Sequence, residues 1–273
     1  KFLLYGTPGT GKTQLAFSAP DPIYAIGVGG ENEFKTVYSK KFIDMHGKRE
    51  IFFNSVTESR GPRGQMLDNP NGFDQVCDTI DKFLEWNEAK NIGIQTLIID
   101  NSTVLEEYMM NKAIAAEYAM ATGKSKTTLS REREYGIRRP HDTTWAGAQS
   151  LMESIVRWLF ELPFHIVLVA HEYQTFTQKE NSRERQLIGV APLFVGQQRV
   201  MSANAFDNVW RTTTGGGGRN QQFNIQTIGD ELVTAKTRVG GILNAVERNL
   251  SLSEVIKSFK EHASSLSEAE GAS

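Results

Sequence analysis

The run Gly6-Thr7-Pro8-Gly9-Thr10-Gly11-Lys12-Thr13 limits what this chain can fold into more than any other stretch. It matches the pattern G-x-x-x-x-G-K-[ST] and sits between a β-rich apolar run at 1–5 and a helical run at 14–18. In that strand–loop–helix setting the pattern binds phosphate. Its glycines permit backbone angles that turn successive amide N–H groups toward one anion. The helix that follows offers the same anion its positive end. Lys12 is the candidate to reach the β- and γ-phosphates, and Thr13 to offer its hydroxyl to Mg2+. Gly6, Thr7, Pro8, Gly9, Thr10, Gly11, Lys12 and Thr13 are therefore the expected nucleotide-binding residues, with ATP and Mg2+ as cofactors. The alternative is a glycine turn arising by chance.

A second element supports the first. Thr96-Leu97-Ile98-Ile99-Asp100 is an apolar run ending in a carboxylate. It reads as a strand beside the loop, with Asp100 holding the water shell of Mg2+. An aspartate that merely caps a strand end is the plain alternative. Around these two motifs, short apolar runs at 1–5, 22–28, 50–56, 95–100 and 165–171 alternate with helical patterns at 72–90 and 144–162. The runs are apolar on both faces, as strands of a helix-covered parallel sheet must be. Past residue 186 the segments 208–214, 221–229 and 231–236 read as an antiparallel meander. The expected architecture is α/β, with a core over 1–250 and a C-terminal helix and disordered tail over 251–273.

Composition then removes several classes. In 273 residues there is one cysteine, Cys77, so neither an internal disulfide nor a Cys-rich zinc site can form, and a reducing, cytoplasmic setting is expected. No apolar run approaches the roughly 18 residues of a membrane span. Nothing resembles a signal peptide, and the opening at Lys1 points to residues upstream. The net charge of −2 is unevenly spread. Lys124, Lys126, Arg131, Arg133, Arg138 and Arg139 face only Glu132 and Glu134 across 124–139, a local charge of +4 that leaves −6 elsewhere.

Missing motifs narrow the phosphate-loop class. Asp100 is followed by Asn101 and not by Glu, which argues against AAA+ ATPases. Asn111-Lys112 is followed by Ala113-Ile114, without the aspartate of a guanine-binding Asn-Lys-x-Asp. No Leu-Ser-Gly-Gly-Gln is present, so an ABC ATPase is not expected. The strand end Val169-Ala170-His171-Glu172 and the segment Ala235-Lys236-Thr237-Arg238 remain.

With the phosphate loop, in this order, these segments give a chain that resembles the RecA-like recombinase superfamily over roughly residues 1–241. Within it, the chain is similar to the compact phage single-strand annealing proteins of the Sak type. The resemblance implies a RecA-like P-loop NTPase fold, with a mostly parallel central sheet flanked by helices and a C-terminal antiparallel β extension. It implies an ATPase stimulated by DNA that assembles on single-stranded DNA as a homo-oligomer, ring or filament, in the cytoplasm (the host's, if phage-encoded). A single-strand-binding protein is a further implied partner; a membrane is not.

Residue roles follow from the same likeness. Glu31, or else Glu33, orients the attacking water. His171 senses the γ-phosphate. Lys236 and Arg238 complete a neighbouring subunit's active site. The +4 segment, with Lys124, Lys126, Arg131, Arg133, Arg138 and Arg139, corresponds to one DNA-binding loop. The polar, mobile stretch 173–189, with Lys179, Arg183 and Arg185, corresponds to the other. Arg131-Glu132-Arg133-Glu134 also alternates in sign as an exposed helix face does, and that alternative stays open. Two other functions fit the same loop: a hexameric helicase-type motor, and a nucleotide-gated module whose partner is a protein.

Overall fold

Successive residues of the first strand, β1 (Phe2–Gly6), feed two different cores. Leu3 and Tyr5 join one buried cluster, and Phe2 and Leu4 join the other. A strand's side chains alternate across the sheet, so a run that is apolar throughout must be covered on both faces. The other central strands repeat the division: β2 (Ile23–Val28), β4 (Thr96–Asp100) and β5 (His165–Gln178). In the computed structural model, which describes residues 1–62, 64–120, 140, 142–178, 185–194, 204–215 and 222–271, all of them lie in one sheet.

The helices sort by face. The Leu3/Tyr5 face is covered by α3 (Gly72–Lys90), α4 (Ser102–Met120) and α5 (Asp142–Glu161). The Phe2/Leu4 face carries α1 (Lys12–Phe17), a 3-10 segment (Glu31–Tyr38), α2 (Lys40–His46) and α6 (Leu252–Gly271). Ser18, at the end of α1, fixes the start of α6: its Oγ accepts from Leu252 N at 2.9 Å and its carbonyl from Ser253 N at 3.0 Å. The segment from Ser264, expected as a disordered tail, continues α6 as far as Gly271. Among the described residues no helix is long and apolar enough to cross a membrane.

With β3 (Ile51–Val56), β6 (Arg185–Pro192), β7 (Asn208–Gly215), β8 (Gln222–Gln226), β9 (Lys236–Thr237) and β10 (Val246–Arg248), the main path through the sheet is β10-β8-β7-β1-β5-β4-β2-β3. The six strands from β7 to β3 are parallel, and β8 and β10 extend that sheet antiparallel.

Within the sheet, β5 is inserted between β1 and β4, the strand that carries Asp100. Three expectations are corrected. Residues 208–214 are not part of a purely antiparallel meander: β7 runs parallel to β1, and Val209 and Trp210 are fully buried as a central strand requires. No strand forms over 231–235, where only an isolated bridge joins Val233 to Val190. The stretch read as mobile at 173–189 is, in its described part, a hairpin of β5 and β6 paired from Glu172↔Pro192 to Gln178↔Arg185.

Candidate functional site: a phosphate loop at the carboxyl edge of the sheet

The loop leaves β1 at the carboxyl ends of the parallel strands, the edge where open α/β sheets bind ligands. Gly9 and Gly11 adopt φ of +78° and +84°, a region that side chains rarely tolerate, and Gly11 caps α1. Thr10 ties the loop down. Its Oγ1 donates to Thr7 O at 2.7 Å and lies 2.8 Å from Thr212 Oγ1 on β7. Lys12 is buried, and its ammonium donates to Gly6 O and Thr7 O at 2.9 Å each. It is held over the turn where the phosphates belong.

Although β5 separates their strands, α1 brings Thr13 to Asp100: Thr13 Oγ1 donates to Asp100 Oδ2 at 2.8 Å. Asp100 is 4% exposed, and that burial pushes its carboxyl up to about 6, against the Thr13 hydrogen bond and the Lys12 charge, which lower it. A hydroxyl and a carboxylate are hard oxygen donors. Two of them leave most of the shell to phosphate and water, which is how Mg2+ prefers to be held. The residues fit the ion.

His171 reaches the same edge from β5, where it pairs in register with Gly6. Asn101 Nδ2 lies 2.7 Å from His171 Nε2, and Asn101 Oδ1 accepts from Thr103 N at 2.9 Å. Because Oδ1 is committed to Thr103, the amide nitrogen faces the ring. Nε2 is then the acceptor, and the imidazole proton belongs on Nδ1. Burial first, then the Lys12 charge, lowers the His171 pKa and so favours the neutral ring. Sequence reasoning noticed Asn101 only as the absence of a glutamate. Its place beside His171 depends on the pairing of β4 with β5.

The remaining expected residues divide. Glu31 opens the 3-10 segment just past β2, whose Gly27 pairs with Asp100; the side chains of Glu31 and Glu33 lie outside the described residues. Lys236 and Arg238 lie at the other end of the sheet. Lys236 pairs with Val209 and its Nζ donates to Asn204 O at 2.9 Å, while Arg238 and the chain's amino group both bind Asp207. That end of β7 matches Phe2 and Leu3, not Gly6, so a role for either cation at this chain's own loop is excluded. Lys124, Lys126, Arg131, Arg133, Arg138, Arg139, Lys179 and Arg183 lie outside the described residues. Arg185 is exposed at the start of β6.

One pair was missed entirely. Arg211 donates twice to Glu172, at 2.7 and 3.1 Å, and the Glu172 side chain is only 1% exposed. This bidentate bridge spans β1 and locks β5 to β7 beside the loop. Glu172 was noticed only as the end of the Val-Ala-His-Glu run; its pairing with Arg211, 39 positions on, has no sequence signal.

A family model described as an AAA domain matches residues 1–239. A search of curated proteins finds no match. The match corrects the argument from Asn101: an Asp-Asn pair after the fourth strand does not exclude an AAA domain. The acidic strand end, the lysine and the threonine are held together as nucleotide hydrolysis requires. The chain belongs to the AAA domain family of P-loop NTPases.

Proposed function

We propose that the protein is an ATP-dependent recombinase or annealing protein of phage type, which binds single-stranded DNA and works as a homo-oligomeric ring or filament. One observation carries this reading: a single strand joins the nucleotide site to a projecting arm. β5 passes the loop at His171 and continues to Gln178 as a hairpin with β6, on which Phe176, Ile188 and Arg185 are exposed. A change at the γ-phosphate felt by His171 thus has a continuous path to the arm. Exposed aromatic and cationic side chains on such an arm suit stacking on bases and contact with phosphates.

In this reading Lys12 exchanges its two carbonyl partners for phosphate oxygens. Thr13 and Asp100 would hold Mg2+, which would supply positive charge against the phosphates. Glu31, with Glu33 in reserve, orients the attacking water. Lys236 and Arg238 act on a neighbouring subunit's nucleotide. The deciding experiment measures ATP hydrolysis with and without single-stranded DNA, alongside electron microscopy for rings or filaments. Stimulation by DNA is expected; an unchanged rate rejects the DNA reading and favours a protein partner.

The basic segment gives a quantitative test. Replacing Arg131, Arg133, Arg138 and Arg139 with alanine should weaken DNA binding across all sequences. It should flatten the log–log salt slope by up to about 3, each phosphate contact contributing roughly 0.7. Unchanged binding would make the segment a solvated face.

Assembly has its own test. A Lys236→Ala/Arg238→Ala protein should bind ATP normally and hydrolyse it poorly. Mixed with Lys12→Ala protein it should regain partial turnover, since some interfaces then combine an intact loop with intact cations. If mixed oligomers form and no turnover returns, these residues are ordinary surface charges.

A further inference from the structure

A small pocket opens beside the loop on the side away from the catalytic groups. Asp100 and His171 approach the loop from β4 and β5, on one side of β1. The pocket lies on the other side, toward β7 and β8, where Gln14, Met45, His46, Thr212, Phe223 and Asn249 line it next to Thr10 and Gly11. A nucleotide with its γ-phosphate toward Asp100 directs its nucleoside toward this pocket.

Two features there point to a ligand. The first is Gln14, in the opening turn of α1: its Oε1 is buried and finds no hydrogen-bond partner among the described residues. A buried acceptor left unpaired is costly, and such groups usually await a ligand or water. The second is Phe223. Its ring presses on the loop so closely that a Cβ at Gly11 would lie 2.8 Å away, and Lys41 Nζ stands 5.1 Å from its centroid. A half-buried aromatic ring packed on the phosphate loop, with a surface lysine over it, is a stacking platform. Base–aromatic stacking outweighs an exposed cation–π contact, so a base can displace the lysine.

We infer that this pocket is the nucleobase subsite and that Gln14 selects adenine. The Gln14 carboxamide accepts from the 6-amino group and donates to N7, the pairing by which glutamine reads adenine. Guanine or hypoxanthine presents two acceptors, O6 and N7, so the carboxamide can pair with only one of them and sets its oxygen against the other. The free volume is about 20 Å3, room for one water, so the purine lies across the mouth against Phe223 with its amino edge inward. The inference rests on the nucleotide reading of the loop and names the specificity residue of that site.

The test compares equilibrium binding of Mg–ATP, Mg–inosine triphosphate and Mg–tripolyphosphate. The wild-type protein should prefer ATP over inosine triphosphate by on the order of tenfold. Gln14→Ala should remove that preference while leaving tripolyphosphate binding unchanged. Phe223→Leu keeps apolar volume and should weaken both nucleoside triphosphates at least about fivefold, again sparing tripolyphosphate. Equal wild-type affinity for ATP and inosine triphosphate, or a preference that survives in Gln14→Ala, overturns the adenine subsite alone. Failure of the wild-type protein to bind tripolyphosphate or either nucleotide overturns the nucleotide reading itself.

Discussion

Lys12→Ala is expected to reduce ATP hydrolysis at least about a hundredfold, the scale on which a single transition-state donor matters in a preorganised site. Among the described residues the ammonium is the cation bonded to the loop's own carbonyls, Gly6 O and Thr7 O, and it is already buried. Without it, charge developing on the transferred phosphoryl group has no fixed partner from this chain's loop. The substitution also strips a donor from two carbonyls, so the loop should loosen while the two cores, built from other residues, keep the fold. A second consequence is electrostatic. The Lys12 charge is among the influences holding the Asp100 carboxyl down, so its removal raises that carboxyl further. Phosphate release and circular dichroism on the same preparation check both parts. Hydrolysis at the wild-type rate would remove the loop from the mechanism.

Asp100→Asn should separate activity from stability. Turnover dependent on Mg2+ should fall by a similar factor, because the carboxylate is the charged oxygen that Thr13 Oγ1 meets. The protein without nucleotide should nevertheless become more stable at pH 7. Burial raises the folded-state pKa of Asp100 from 3.8 to about 6, so above that pH the ionised carboxylate opposes folding. The folded state binds the proton more tightly than the unfolded state. Wild-type stability therefore rises as pH falls from about 6 toward 4, and the advantage of the asparagine variant shrinks over the same window. A two-unit shift corresponds to about 3 kcal/mol at pH 7, or several degrees in Tm for a chain of this size. The amide keeps an oxygen to accept from Thr13, so no hydrogen bond need be lost. Wild-type affinity for Mg–nucleotide should decline as pH falls through about 6, and the variant's should not. Melting curves from pH 4 to 8 decide it: an asparagine variant less stable than wild type at pH 7 would mean that Asp100 is not held ionised against its burial.

The two experiments draw on different kinds of information in the chain. The phosphate loop was legible because its chemistry is local: Gly6, Gly11, Lys12 and Thr13 act through spacing alone, and an apolar run before them identifies the strand. The same holds for α3, whose observed bounds, Gly72–Lys90, coincide with the helical pattern read at 72–90. Runs such as Leu97-Ile98-Ile99 marked strands covered on both faces, and both faces are covered.

Strand order is another matter. It depends on which buried edges find each other, and nothing in a run of Val, Ile and Leu names its neighbour. Hence β5, from 165 onward, could slip between β1 and β4, and β7 could join the parallel sheet although its surroundings read as antiparallel. Those two pairings create what sequence reasoning missed: Asn101 against His171, Glu172 against Arg211, and Phe223 against Gly11. They also carry Lys236 and Arg238 to the far end of the sheet, beyond reach of their own loop. The sequence by itself determined that this chain carries a P-loop, because that pattern lives within eight residues. Tertiary structure alone decided what surrounds the phosphate, because contacts between residues 39 to more than 200 positions apart arise only when the strands pair.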